Sequence, residues 1–158
     1  MSKVMVHSTL ESGYDYHIKN RYGKQFHFRI SSFDVPTGLL SEAYEVVQEE
    51  EREPNVYTVL GSYDEDVQDQ ESRLKAKIKN GINQIHIVNN DGRFSLGERN
   101  KLAGRIEYNE LLMDTRFERV MIVDGKRITI EDFAGMLESF EGFCFKFEII
   151  DPVDMDFD

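Results

Sequence analysis

Between Tyr14 and Ile30 the chain alternates apolar and polar residues on both sides of a short break, and no other stretch constrains the fold as tightly. Tyr14, Tyr16 and Ile18 alternate with Asp15, His17 and Lys19; beyond Arg21-Tyr22-Gly23, Phe26, Phe28 and Ile30 alternate with His27 and Arg29. Successive side chains of a strand point to opposite faces, so each arm has one apolar face. Pairing must bring those faces together, because a slip of one residue turns an arm over. Tyr16 opposite Phe28 and Ile18 opposite Phe26 meets this requirement. It also closes a three-residue loop ending in Gly23, the position that needs a left-handed backbone. The other face then sets Asp15 against Arg29, His17 against His27 and Lys19 against Gln25.

The remaining elements follow from periodicity and punctuation. Pro36 and the stripe Leu39, Leu40, Ala43, Tyr44 and Val47 predict a helix over residues 36–50, ending in an acidic run at 49–53. A strand over 55–61 precedes a second helix over 64–80, with Asp64, Glu65, Asp66 and Asp69 near its start and Lys75, Lys77 and Lys79 near its end. Each end thus complements the helix dipole. The narrow stripe Val67, Leu74 and Ile78 puts this helix on the surface. Strands are expected at 84–88, 102–108 and 119–123, with Asp124-Gly125 turning the last back into Lys126–Ile128. Thr129 and Asp132 have capping-box spacing before a third helix with Ile130, Phe133, Ala134, Leu137 and Phe140 on one face. Phe143, Phe145, Phe147 and Ile149 mark one face of a final strand. The expected fold is α+β: a largely antiparallel sheet of about six to seven strands, with three helices mainly on one face. Residues 1–150 form a single domain in this reading, followed by an acidic, mobile tail at 151–158.

Length and composition bound the class. A chain of 158 residues with 40% hydrophobic content can bury a core without disulfides or metal. Its one cysteine, Cys144, excludes an intrachain disulfide. No stretch has the length and apolarity of a membrane span, and the first ten residues lack a signal-like apolar run, so a cytoplasmic protein is expected. Nineteen basic against 30 acidic residues leave a net charge of −11. That field repels phosphate backbones and anionic lipid, which argues against direct nucleic-acid or membrane binding and suits a basic protein partner. Plain solubility is the simpler explanation of the charge.

From Gly104 to Ile149 the chain reads G-R-I, V-D-G-K, I-E-D-F-A-G-M-L and E-G-F-x-F-K-F-E-I in turn. This resembles a family of small bacterial proteins of unknown function. The resemblance implies a strand, turn, helix and strand scaffold and a bacterial or phage-related origin, and it brings no activity.

Motifs with defined chemistry are missing. There is no phosphate-binding glycine loop, nucleophile elbow or H-E-x-x-H. Asp64-Glu65-Asp66 lacks the central glycine of a calcium loop and starts a helix instead. Cys144 shares a face with Lys146 and Glu148, and without a flanking base it reads as an inert, partly buried thiol. The mixed face of the first hairpin is the candidate binding site: His17, His27, Asp15 and Arg29. Opposed histidines stand about 5 Å apart at Cβ, close enough to share a metal if a third ligand approached. Neutral rings paired on a sheet face account for the pair without metal, and no cofactor is called for. The sequence therefore points to a small acidic interaction or regulatory module of immunity, inhibitor or accessory type more than to an enzyme. The alternative is a metal-dependent or acid–base enzyme centred on His17 and His27.

Overall fold

The computed structural model describes residues 13–50, 52–108 and 119–157. Glu51 of the acidic run and Asp158 of the tail lie outside them. The described residues divide into two compact units: 13–48, 54–84 and 149–157 make the first, and 49–50, 52–53, 85–108 and 119–148 the second.

The first unit is a four-stranded antiparallel meander in the order β1 (Tyr14–Lys19), β2 (Gln25–Val35), β3 (Gly38–Glu45) and β4 (Val56–Gly61), followed by helix α1 (Val67–Ile82). The β1–β2 register has the expected pairs, with Asp15 opposite Arg29, Tyr16 opposite Phe28 and His17 opposite His27. Asn20 N donates to the Lys24 carbonyl at 2.9 Å, closing the three-residue loop, and Gly23 takes a φ of +86°. One sheet face packs on α1 around Phe26, Phe28, Ile30, Ala43, Tyr57, Leu74, Ile78 and Ile82. Leu74 and Ile78 are fully buried, and leaving water is worth roughly 1.5–3 kcal/mol for each. Asp66 caps α1 by accepting from Gln68 N at 3.2 Å. Within the acidic tail, Phe157 packs edge-on against Tyr57 at 5.4 Å, and Lys77 Nζ donates to the Pro152 carbonyl at 3.0 Å.

The second unit holds the hairpin β5 (Ile87–Asn90) and β6 (Arg93–Leu96), the three-stranded antiparallel sheet β7 (Arg105–Tyr108), β8 (Arg119–Val123) and β9 (Lys126–Ile128), and helix α2 (Ile130–Met136). Both tight turns are Asp-Gly: φ is +55° and +85° at Asp91-Gly92, and +52° and +79° at Asp124-Gly125. Positive φ at both central residues matches the right-handed twist of the flanking strands. The Thr129–Asp132 capping box forms in full, with both bonds at 3.0 Å. Ile87, Val123, Ile128 and Met136 make the core.

The expected architecture needs correction on three counts. The described residues carry two α-helices and nine strands, and the strands form three separate sheets of four, two and three strands in place of one sheet. The helix expected at 36–50 is strand β3. Leu39, Leu40, Ala43, Tyr44 and Val47 satisfy helical spacing, but from Leu39 onward the buried positions are Leu39, Ser41, Ala43 and Glu45, which is period two. Pro36 sits in the two-residue turn from β2, and β3 pairs on both edges with β2 and β4, so its backbone groups are satisfied without a helix. Finally, residues 143–149 belong to no sheet among the described residues.

Candidate functional site

The hairpin face gathers all four residues that the sequence singled out. His17 and His27 are stacked, with ring centroids 4.3 Å apart and planes inclined by 18°. His27 Nε2 lies 2.8 Å from Asp15 Oδ1. Arg29 donates to the same oxygen at 3.1 Å, and a second guanidinium nitrogen donates to the Gly13 carbonyl at 3.0 Å. The bonds from His27 and then Arg29 hold the Asp15 carboxyl below its ordinary range. Asp15 therefore serves as the anchor of the patch, with its charge already engaged. A metal–imidazole bond lies in the ring plane at about 2.0–2.1 Å. Two planes only 18° from parallel at this separation meet far outside that distance, so the stacked pair does not converge on one ion. Among the described residues no group of three or more His, Cys, Asp or Glu side chains is placed to hold a metal.

Beneath the same sheet lies a polar cluster that the sequence reading missed. Ser32 and Ser41, opposed on β2 and β3 and both fully buried, bring their hydroxyls within 2.7 Å. Ser32 Oγ donates to one carboxylate oxygen of Glu71 and the Tyr14 hydroxyl donates to the other at 2.8 Å. Gln70 Nε2 donates to the Leu39 carbonyl at 2.8 Å and to Ser41 Oγ at 3.0 Å. Burial, then Glu71, pushes the Tyr14 phenol well above its usual range. The signal was present in the spacing: residues 67, 70, 71, 74, 78, 81 and 82 share one face of a 3.6-residue period. Every hydroxyl of the cluster donates or accepts within it, and the network fastens α1 to the sheet.

In the second unit, Asp124 in the β8–β9 turn accepts from the backbone N–H of His86 at 2.7 Å and of Ile87 at 3.1 Å, and its other oxygen lies 2.9 Å from His86 Nδ1. His86 is buried, so this His–Asp pair serves to fix the start of β5. A shallow depression of about 260 Å³ lies between the β5–β6 hairpin and α2, lined by Asn90, Arg93, Phe94, Met136 and Glu138 among others. That is below the roughly 300–1,000 Å³ of small-molecule pockets, and the ion pair of Arg93 with Glu138 at 2.9 Å is part of its wall.

The largest chemical anomaly lies along the predicted final strand. Phe143, Phe145, Phe147 and Ile149 are 68%, 88%, 75% and 69% exposed. Cys144, expected to be partly buried, is exposed as well, and no strand among the described residues pairs with its segment. Large apolar side chains thus stand exposed at every second position of a stretch that joins no sheet among the described residues.

Residues 11–83 match a family model described as Domain of unknown function (DUF7686), and residues 85–154 match another described as Domain of unknown function (DUF7713). The second match encloses the 104–149 stretch that resembles uncharacterised proteins. The boundary between the two falls at residue 84, next to the point where the chain passes from the first compact unit to the second. No curated protein and no solved structure matches the chain. Among the described residues no helix is long and apolar enough to cross a membrane.

Proposed function

We propose that the chain is a non-catalytic interaction module that binds a protein partner through residues 143–149. The exposure of three phenylalanines and an isoleucine along one unpaired stretch carries this reading. A segment that joins no sheet among the described residues can add as a strand to a sheet edge on another protein, its backbone supplying affinity and alternate side chains supplying specificity. The clusters that could do chemistry are already committed: Asp15 is held by His27 and Arg29, and the Ser32–Glu71 network is buried under α1. The acidic surface expected from a net charge of −11 keeps such a module soluble despite its apolar segment.

The test is capture of a binding protein by immobilised wild-type chain and by a Phe145→Ser/Phe147→Ser variant of equal circular dichroism. A protein retained by the first and lost by the second supports the reading. Identical retention by both overturns it.

A further inference from the structure

The partner of this segment can be argued from its symmetry, an inference that rests on the interaction reading above. Residues 143–151 are bounded by two interruptions. Gly142 has a φ of +89°, outside the extended region, and Pro152 lacks the N–H that a ladder needs. The midpoint between these two stops is Phe147. Lys146 and Glu148, the only charged residues from Phe143 to Ile150, flank that same residue.

We propose that residues 143–151 of two copies of the chain pair antiparallel about a two-fold axis at Phe147, giving a homodimer. In this register each Lys146 faces the other copy's Glu148, Phe145 faces Ile149, Cys144 faces Ile150, and Phe147 faces its own equivalent. Paired residues of an antiparallel ladder share a face, so both aromatic rows fall on one side of the ribbon. Opposite charges directly across the ladder stabilise it, and like charges oppose it. A two-fold at Lys146 would set lysine on lysine, and one at Glu148 would set glutamate on glutamate. A centre at Phe145 leaves both charges without a counterpart. Centring on Phe147 is thus the register that satisfies both the charge pairs and the segment's ends. A closed two-fold contact of this kind uses the same patch on both copies.

The experiment is sedimentation velocity of the full chain in a Cys144→Ser background over a range of protein and salt concentrations. Each copy carries a net charge of −11, so self-pairing strengthens as salt screens the repulsion, whereas binding to a basic protein weakens. Lys146→Glu or Glu148→Lys alone is expected to weaken the dimer by about tenfold, since each disrupts two cross-strand pairs, and the double exchange restores it. Phe147→Cys is expected to crosslink on oxidation at least about tenfold faster than Phe145→Cys or Ile149→Cys. A chain that stays monomeric at all concentrations overturns the homodimer, as does a dimer indifferent to both charge changes and cysteine position. If a monomeric chain still loses a captured protein on Phe145→Ser/Phe147→Ser, self-pairing alone has failed. If neither self-pairing nor segment-dependent capture is found, the interaction reading falls with it.

Discussion

Replacing Gln70 by alanine removes a side chain that ties α1 to two backbone carbonyls of the sheet. Its amide nitrogen donates to the Leu39 carbonyl at 2.8 Å, to Ser41 Oγ at 3.0 Å and to the Val59 carbonyl at 3.4 Å, and the residue is fully buried. Stripping the donor from buried acceptors costs about 1–3 kcal/mol. The space vacated beyond Cβ adds a cavity cost of about 1 kcal/mol. Gln70 Oε1 has no partner among the described residues, so deleting it returns about 1 kcal/mol of desolvation. The net expectation is a destabilisation of about 2 kcal/mol. Urea unfolding followed by far-ultraviolet circular dichroism measures it, with Gln68→Ala, an exposed change on the same helix, expected within about 0.5 kcal/mol of wild type. A Gln70→Ala variant as stable as Gln68→Ala would refute the idea that this network fastens helix to sheet.

Three further outcomes follow from the same geometry. The Asp15 carboxyl is held below its ordinary value of 3.8 by His27 and Arg29, so the stability it contributes is present above that value and lost as pH falls through the lower folded one. The advantage of wild type over Asp15→Asn in urea unfolding should therefore shrink at acid pH, and an advantage that grows would contradict the anchoring role. The Tyr14 phenol is raised by burial and by Glu71, so its contribution is complete below 10.0 and lost as pH climbs beyond. Wild type should lose stability relative to Tyr14→Phe only above that point. Asp124→Ala removes the acceptor of two backbone N–H groups and the partner of the buried His86, and is expected to destabilise the second unit by about 2–4 kcal/mol; amide exchange of His86 and Ile87 as fast as in an unfolded peptide would report the same loss.

The first hairpin was legible because both arms keep strict period two and Gly23 fixes the loop, which leaves a single register. The α2 start was legible for a similarly local reason, since a capping box spans only Thr129 to Asp132. Strand β3 was not, because its buried face mixes Leu39 and Ala43 with Ser41 and Glu45. Those polar residues hide the alternation, and they are accommodated only by distant partners: Ser41 meets Ser32 and Gln70, and Glu45 accepts from Asn55 N at 3.1 Å. The buried side of α1 was hidden in the same way by Gln70 and Glu71, whose partners lie on other strands. Residues 143–149 carry a strand pattern, but a strand exists only when another strand pairs with it, and that condition is not written in the segment itself. The four hairpin-face residues were found together because register alone places them, whereas the exposure of the final segment depends on the absence of a neighbour among the described residues.

Amide hydrogen exchange across residues 144–150 decides whether this segment is a free docking strand. In dilute, isolated chain these amides should exchange about as fast as in an unstructured peptide, and they should become protected at high concentration or on binding a partner. Strong protection already present in the dilute monomer would mean that the segment is paired within its own chain, and the account of it as a docking strand would be wrong.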